Sequence, residues 1–405
     1  MILKVDRSLF GRIIILGQNR KIEVRELRQY SLGPLPWALA TPEGFPRKTN
    51  KAALATYLQK DVQLADSLPL NSATIIDGMS LVQKMNVGGG QTTFGMVASS
   101  LLSMAVHEGS QSKRIDVVFD TYREVSIKNA ERSKRGEVPG VQLAHISASQ
   151  LVKQWRKFLS EVKNKTSLIK FLVEEWKTAE YSERLQREGK VLYVTCEKEC
   201  WKITSESTEE VRELSSSQEE ADTRLLLHAS HAARKGYEAV IVNSEDTDVF
   251  ILLLGFSSSI NTKLYVRCGT KTRTRLIDIG KVVHSLGREV CEALMGMHSF
   301  TGCDTVSAFA GKDKISASKI LKGNNNVRRA FTELGQSWVV SDNLFTVLEK
   351  FTCSMYMSVG NITGRVNDAR YELFCAKNGE VESHQLPPCQ DCLRKHVLGA
   401  NYQAG

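Results

Sequence analysis

Residues 239–250 read AVIVNSEDTDVF, a short run of mostly β-branched residues that leads directly into a cluster of acids. Apolar runs of this kind, bounded by turns, are typical of strands that are buried on both faces of a parallel sheet. The predicted strands are 73–76, 115–119, 191–195, 239–242 and 249–254. Because polar turns and helical stretches separate most of these runs, the sequence predicts an α/β fold with a central, mostly parallel sheet.

Composition and length indicate an ordinary globular protein. The chain has 405 residues, of which 42% are hydrophobic and 24% charged, and a length of roughly 150 residues per domain predicts two to three domains. Nine scattered cysteines predict a reducing compartment, nuclear or cytoplasmic. The apolar stretch near 249–256 is far shorter than the roughly 20 residues of a membrane span, and the N-terminus lacks a small-residue cleavage site. We therefore predict an intracellular protein that is neither secreted nor transmembrane.

Changes in pattern along the chain predict four regions. Residues 1–71 form a turn-rich N-terminal extension of unknown role, and residues 72–310 carry the α/β core. A charged, amphipathic helical insertion at about 124–187 predicts an arch or lid within that core. A basic region at 311–350 and a C-terminal segment at 351–405 follow. The net charge of +9 favours a polyanionic partner.

Acidic residues follow three of the predicted strands. Asp77 and Asp120 each come directly after an apolar run, and Asp246 and Asp248 follow the run at 239–242. The carboxyl ends of parallel strands meet at one edge of the sheet, where α/β proteins bind their ligands. These four carboxylates are therefore expected at one edge.

Three further acids extend the set. Glu220 and Asp222 are predicted in the first turn of a helix, with Glu219 as the alternative to Glu220, and Asp304 lies in the turn TGCDT. Seven carboxylates at one edge would repel each other unless cations neutralised them, and oxygen ligands suit Mg²⁺ or Mn²⁺. Two such ions can promote hydrolysis of a phosphodiester. The specific hypothesis for this set of acids is therefore a nuclease that uses two metal ions.

Each acid also has a structural explanation. Ser217 and Glu220 have the spacing of a capping box, and Asp222 suits the helix dipole. Asp246, Asp248 and Asp304 could form turns. For any single acid this explanation is at least as good as metal binding. Their joint position at successive strand ends favours the metal site, because capping and turns do not require the same edge of a sheet.

At these residues the sequence resembles the flap endonuclease/XPG family of PIN-like nucleases. The similar motifs, in the family's order from about 73 to 322, are IIDGMSL, VVFD, EEADT, NSEDTD and GCDT. The resemblance implies a three-layer PIN-like fold with an arch-like insertion and two Mg²⁺ or Mn²⁺ ions. It assigns one ion to Asp77, Asp120, Glu220 and Asp222, and the other to Asp246, Asp248 and Asp304.

The resemblance also implies contacts with nucleic acid. Lys128 and Arg135 correspond to basic residues that contact the scissile phosphate, and Arg and Lys suit that role chemically. A helix-hairpin-helix-like region, part of the basic region 311–350, is expected to contact a phosphate backbone through the following residues: Gly311, Lys312, Lys314, Lys319 and Lys322. Solvated charges on helix faces are the alternative. The sequence departs from the family at Asp313, in place of a hairpin glycine, at Thr121 and Thr305, and in the segment before Ser72.

The resulting hypothesis is a metal-dependent, structure-selective nuclease, with DNA ranked before RNA as substrate and no membrane partner. The alternative is a nucleic-acid-binding or scaffold protein that keeps the PIN-like fold without turnover, which the departure at Asp313 favours. A small-molecule α/β enzyme ranks last, because the chain lacks a phosphate-cradling glycine motif. The pair Cys389 and Cys392, without a matching second pair nearby, predicts free thiols and no zinc site.

Overall fold

The computed structural model describes most of the chain. The described residues are 15, 17–18, 35–60, 62–65, 67–88, 90–122, 142–143, 145–218, 220–269, 274–357, 363–376 and 382–405. The chain forms two compact units, one made of Asp61–Ser285 and the other of Met1–Lys60 together with Leu286–Gly405. Among the described helices, none combines the length and the apolar character that a membrane crossing needs.

An eight-stranded sheet forms the centre of the unit 61–285. Its strands are Ser72–Asp77 (β1), Arg114–Val118 (β2), Val191–Cys196 (β3), Glu199–Ile203 (β4), Thr208–Glu210 (β5), Ala239–Asn243 (β6), Lys263–Cys268 (β7) and Arg275–Asp278 (β8). They lie in the order β5-β4-β3-β2-β1-β6-β7-β8. Neighbouring strands pair parallel through the middle of the sheet, which consists of β3, β2, β1, β6 and β7. At the two edges, β4, β5 and β8 form antiparallel pairs. The α/β class with a mostly parallel sheet, predicted from the sequence, is confirmed.

Helices connect the strands of this unit. They are Gly78–Lys84 (α2), Phe94–Glu108 (α3), Trp155–Ser160 (α4), Val162–Trp176 (α5), Ala179–Arg187 (α6), Ala221–Arg234 (α7), Thr247–Phe256 (α8) and Ile279–Leu286 (α9), while Lys51–Gln59 (α1) precedes them in the other unit. The helices α4 to α6 occupy the second part of the insertion predicted at 124–187. Residues 123–141 and 144 lie outside the described residues.

Successive side chains of β2 point to opposite faces of the sheet, as in any strand. The two faces are covered by different helices. Ile115 and Val117 join one apolar cluster with residues of α2 to α6. Arg114 and Asp116 point to the opposite face, where their side chains meet histidines of α7. The buried strands thus receive helices on both faces, which explains why their sequences are largely apolar.

The strand predicted at 249–254 is wrong, since the structure has helix α8 there. Asp246 caps this helix by accepting a hydrogen bond from the backbone N–H of Asp248 at 2.8 Å. Residues on several sides of α8 are buried, among them Val249, Phe250 and Leu253. A helix that is buried nearly all round has no polar stripe, so its apolar run resembles a buried strand.

The described part of the other unit is mostly helical. Besides α1 it contains Arg288–Phe300 (α10), Lys314–Gly323 (α11), Asn325–Glu333 (α12), Asp342–Tyr356 (α13), Val366–Ala376 (α14) and Gln390–Ala404 (α15). The ring of Phe300 lies at its centre, with centroids of Phe309, Phe331 and Phe351 between 5.3 and 5.8 Å away. Such tilted and edge-on contacts stabilise a core beyond the area that they bury.

A fully buried ionic network joins β2 to α7. Arg114 donates two hydrogen bonds to Asp116, at 2.7 and 2.6 Å, and the Nδ1 atom of His228 lies 2.6 Å from the same carboxylate. Burial acts to raise the pKa of Asp116, but the Arg114 charge and these hydrogen bonds outweigh it and lower that pKa. Burial lowers the pKa of His228. The network therefore holds α7 in one position against the sheet.

We predict that Asp116→Ala lowers the free energy of unfolding by about 3–5 kcal/mol, because it leaves the Arg114 charge buried without its partner. Urea unfolding at pH 7 measures the change. The control is Glu174→Ala, which removes an exposed ion pair with Lys177 and should cost less than about 1 kcal/mol. Equal losses in the two variants would contradict a structural role for the network.

Candidate metal centre

The strand order reverses next to β1. From β1 the chain passes to β2 and β3 on one side, and later to β6 and β7 on the other. At such a switch point the connections leave in opposite directions, which opens a crevice beyond the carboxyl ends of the strands. Asp77 ends β1, and Asp120 and Asp246 follow shortly after β2 and β6. These three acids therefore follow the strands that border this crevice.

Asp77 caps helix α2. Its Oδ1 atom accepts hydrogen bonds from the backbone N–H groups of Met79 at 2.8 Å and Ser80 at 3.1 Å. Burial raises the pKa of Asp77 to about 6, aided by the negative charges of Asp120 and Asp246 and opposed by these two hydrogen bonds. Asp120 and Asp246 are thus both close enough to Asp77 for their charges to oppose its ionisation.

Asp120 connects the end of β2 to the start of α7. Its Oδ1 atom accepts a hydrogen bond of 2.8 Å from the backbone N–H of Ala221, the first residue of the helix. Glu220 is the N-cap residue of α7, and Asp222 lies in its first turn. A capping box would place Ser217 at the N-cap and Glu220 in the first turn, but the helix begins at Ala221 with Glu220 as its N-cap residue. Asp120 instead fixes the position from which Glu220 and Asp222 project.

Three carboxylates form a compact cluster. Asp222, Asp246 and Asp248 each have an oxygen atom within 4.8 Å of the others, in the only group of three possible metal ligands found among the described residues. Asp246 is exposed and the other two are partly buried. Oxygen donors of this charge and spacing fit Mg²⁺ or Mn²⁺. The structure brings Asp222 together with Asp246 and Asp248, whereas the family resemblance groups it with Asp77 and Asp120.

Asp304 lies in the other compact unit. Its carboxylate forms an ion pair of 2.7 Å with Lys51 at the start of α1, and its side chain is 55% exposed. The ammonium group of Lys48 donates to its backbone carbonyl at 2.7 Å. Both lysines are more than 250 residues away in sequence, and no motif indicated them as partners.

The residues of the basic region that were predicted to bind nucleic acid differ in their exposure and in their side-chain partners. Gly311 is exposed with φ of +65°, and Lys319 is exposed on α11. Lys314 is 2% exposed, and its ammonium group donates to the His298 carbonyl at 2.6 Å and the Thr301 hydroxyl at 2.9 Å. Its charge is therefore used inside the protein, away from any surface contact.

Two other lysines of this region lie over aromatic rings. The ammonium group of Lys312 is 4.2 Å from the centre of the Tyr356 ring, and that of Lys322 is 4.9 Å from the centre of the Tyr57 ring. Cation–π contacts of this kind hold a basic side chain in position while it keeps its charge. Lys128, Arg135 and Glu219 lie outside the described residues.

Sequence reasoning missed two residues that shape the centre. Arg224, buried on α7, donates to the Glu197 carbonyl at 2.6 Å and to the Thr121 hydroxyl at 3.3 Å. It thereby ties α7 to the segment that carries Asp120. Gly78 lets α2 approach closely, since a Cβ atom there would lie 2.5 Å from the ring of Phe119. Neither residue has a local signal, because their partners lie far away in sequence.

Comparisons with known proteins give little support for a family. No protein-family model matches the chain, and no curated protein sequence matches it. Among solved structures it is similar to the T5 D15 protein co-crystallised with metal ions, at 13% sequence identity and a TM-score of 0.34. That match covers 82% of this chain and 100% of the other.

We predict that Asp77→Asn stabilises the metal-free protein at pH 8 by about 1–3 kcal/mol. The folded-state pKa of Asp77, about 6, lies above the ordinary value of 3.8, so ionisation of this carboxyl destabilises the fold as pH rises from 3.8 through 6. Asparagine keeps the capping oxygen without the charge. The gain should disappear near pH 4, as measured by chemical unfolding in chelator.

The matched control for this prediction is Asp278→Asn. Asp278 also ends a strand and accepts a helical N–H, that of Lys281 at 3.1 Å. It belongs to β8, which runs antiparallel, so its carboxyl end lies at the opposite edge of the sheet from the acids. We expect this variant not to gain stability at pH 8. A gain of equal size in both variants would show that repulsion at the acidic edge is not its cause.

Proposed function

We propose that this protein is a metal-dependent nuclease that hydrolyses phosphodiester bonds, in DNA or in RNA, with two ions of Mg²⁺ or Mn²⁺. The observation that carries the proposal is the cluster of Asp222, Asp246 and Asp248, on elements beside the switch point of a parallel sheet. Asp77 and Asp120 supply further negative charge there. A centre so rich in carboxylates has an evident use in binding divalent cations.

Each acidic residue has a role in the proposed reaction. Asp222, Asp246 and Asp248 hold one ion, and Asp77, Asp120 and Glu220 contribute to the second. Bound there, the ions would lower the pKa of an attacking water and neutralise charge on the leaving oxygen. The helix caps at Asp77 and Asp246 fix the orientation of those carboxylates before any ion binds. The contribution of Asp304 remains a prediction from the family resemblance.

The proposed substrate contacts are electrostatic. Lys312, Lys319 and Lys322 on the basic region would contact phosphates, and Lys128 and Arg135 remain predictions from the sequence. Contacts of this type position a polynucleotide without reading its bases. Binding through them should weaken as the salt concentration rises.

One structural observation favours the alternative, a nucleic-acid-binding protein without turnover. Asp77, Asp120 and Asp246 each accept a hydrogen bond from a backbone N–H in the first turn of a helix. Capping alone gives these acids a use in the fold, with or without a metal. Cleavage and metal binding therefore have to be measured separately.

We predict that Asp246→Asn combined with Asp248→Asn reduces metal-dependent cleavage by at least about 100-fold, because the cluster loses two of its three charges. Labelled single-stranded, duplex and flap DNA and RNA, incubated with Mg²⁺ or Mn²⁺, provide the assay. Asp278→Asn, an equivalent change at the opposite edge, should cleave like wild type. Metal-dependent cleavage that survives the double substitution would overturn the assignment of these residues.

We also predict that Mg²⁺ or Mn²⁺ raises the melting temperature of the wild-type protein above its value in chelator. An ion at ten times its dissociation constant adds about 1.4 kcal/mol, or a few degrees for a unit of this size. The double variant should show no increase. An increase in wild type without cleavage of any substrate would favour the non-catalytic alternative, and no increase at millimolar ion would contradict the metal centre itself.

A further inference from the structure

A cavity lies between the N-terminal extension and the turn that precedes α11. Its volume is about 530 Å³, and its walls come from two stretches of chain, 41–53 and 309–315. Both stretches belong to the same compact unit. A cavity of this size is typical of sites for small ligands. The N-terminal extension, to which the sequence assigned no role, thus supplies one wall of a candidate binding site.

Backbone hydrogen bonds hold the two stretches together. Ala308 donates its N–H to the Arg47 carbonyl at 2.8 Å, and Ala310 donates to the Ala38 carbonyl at the same distance. The backbone N–H of Arg47 donates to the hydroxyl of Ser307 at 2.9 Å. These contacts join residues that are more than 250 positions apart in sequence. The walls are therefore fixed relative to each other without any help from a ligand.

Basic side chains are prominent in the lining. Besides the buried Lys314, they are Arg47, Lys48 and Lys312. The Arg47 Nε atom donates to the Trp37 carbonyl at 3.0 Å. The Lys48 ammonium group donates to the Asp304 carbonyl at 2.7 Å, and Lys312 lies over an aromatic ring. Contacts with carbonyl groups and a ring position these side chains and do not neutralise their charge.

The surroundings of the cavity favour an anion. Among the described residues that line it, Asp313 is the only acid, and its carboxylate accepts the N–H and the hydroxyl of Ser316 at 2.8 and 2.9 Å as the cap of α11. Asn50, also in the lining, caps α1 by accepting the N–H of Ala53 at 3.2 Å. The starts of two helices therefore add the positive ends of their dipoles to the basic side chains.

Gly311 leaves part of the wall without a side chain. Its φ of +65° lies in the left-handed region, and a Cβ atom built there would have no other atom within 4 Å. The space beside this backbone is therefore open. A group as bulky as a phosphate can approach the chain closely at such a position.

We propose that this cavity binds a phosphate ester, whose oxygens are contacted by Arg47 and Lys48 of the N-terminal extension and by Lys312 of the basic region. Arginine can donate two parallel hydrogen bonds to one phosphate, and lysine supplies a point charge. The ester is a backbone phosphate of the polynucleotide substrate, an assignment that rests on the proposed function. A free nucleotide carries the same group, so the experiments below compare the two sources.

The first test measures binding of short, fluorescein-labelled DNA to the full-length protein in chelator, where no metal-dependent cleavage occurs. We expect Arg47→Gln combined with Lys48→Gln to weaken binding at least about 10-fold at low salt. The dependence of log Kd on log salt should become shallower by about 1 for each phosphate contact that is lost. Unchanged affinity and an unchanged salt dependence in a folded variant would overturn the proposal.

A second variant leaves the three basic side chains in place. Ala53 lines the cavity in the first turn of α1, where a glutamate suits the helix dipole and can complete a capping arrangement with Asn50. We therefore expect Ala53→Glu to fold normally, as circular dichroism checks, and to weaken DNA binding at least about 10-fold through repulsion. Ala52→Glu is the matched control, because Ala52 is exposed on the same turn and does not line the cavity. Equal affinities in the two variants would contradict a phosphate site here.

Calorimetric titrations with pyrophosphate and AMP in chelator identify the source of the phosphate. Weak binding of both, beside tight binding of DNA that Ala53→Glu reduces, is the result expected for a backbone phosphate. Micromolar binding of either small molecule that Ala53→Glu abolishes would overturn that source and assign the cavity to a free nucleotide.

The same measurements separate this proposal from the nuclease proposal. If no substrate is cleaved but the cavity variants lose DNA binding, the nuclease proposal fails and the phosphate site stands. If the wild-type protein cleaves DNA and the cavity variants bind it normally, the phosphate site fails and the nuclease proposal stands.

Discussion

The parallel pairing of β1 with its two neighbours is the contact on which the candidate centre depends. Backbone hydrogen bonds place Ile76 opposite Asn243 on one side and Asp77 opposite Val118 on the other. Asp120 and Asp246 follow within a few residues of those partners, so the ladder sets how far apart the carboxylates can be. A slip of one residue in either pairing would turn the side chains of a strand to the opposite faces.

Helix α7 brings the remaining acids to this edge. The buried network of Arg114, Asp116 and His228 holds its middle against the sheet, and Asp120 binds its first N–H. Both interactions act on the position of Asp222, because this residue lies in the first turn of the helix. The cluster therefore depends on polar contacts that are buried, where an unpaired charge is costly.

The same carboxylates serve the fold and the proposed chemistry. These carboxylates accept hydrogen bonds from backbone N–H groups at the start of α2, α7 and α8 that have no partner within the helix. The same carboxylates bring negative charge to the crevice beyond the carboxyl ends of the strands. The structural explanations that the sequence offered for single acids and the metal hypothesis for the group are thus compatible. For Glu220 the structure differs from the capping-box alternative, because the helix begins one residue after it and Asp120, distant in sequence, accepts the first helical N–H.

The sequence by itself determined the α/β class, four of the five predicted strands and the acids that follow three of them, because burial in a parallel sheet leaves apolar runs with a polar end. It failed at 249–254, where a helix buried nearly all round has the same composition as a strand. Only the tertiary structure decided which acids lie together and which charges are used inside the protein. Asp222 lies close to Asp246 and Asp248. Lys314 is buried, and its ammonium group donates to the carbonyl of His298 on α10. Asp313 caps α11 by accepting the Ser316 N–H at 2.8 Å. These outcomes depend on partners distant in sequence or on the packing of whole helices, and such contacts have no periodicity along the chain.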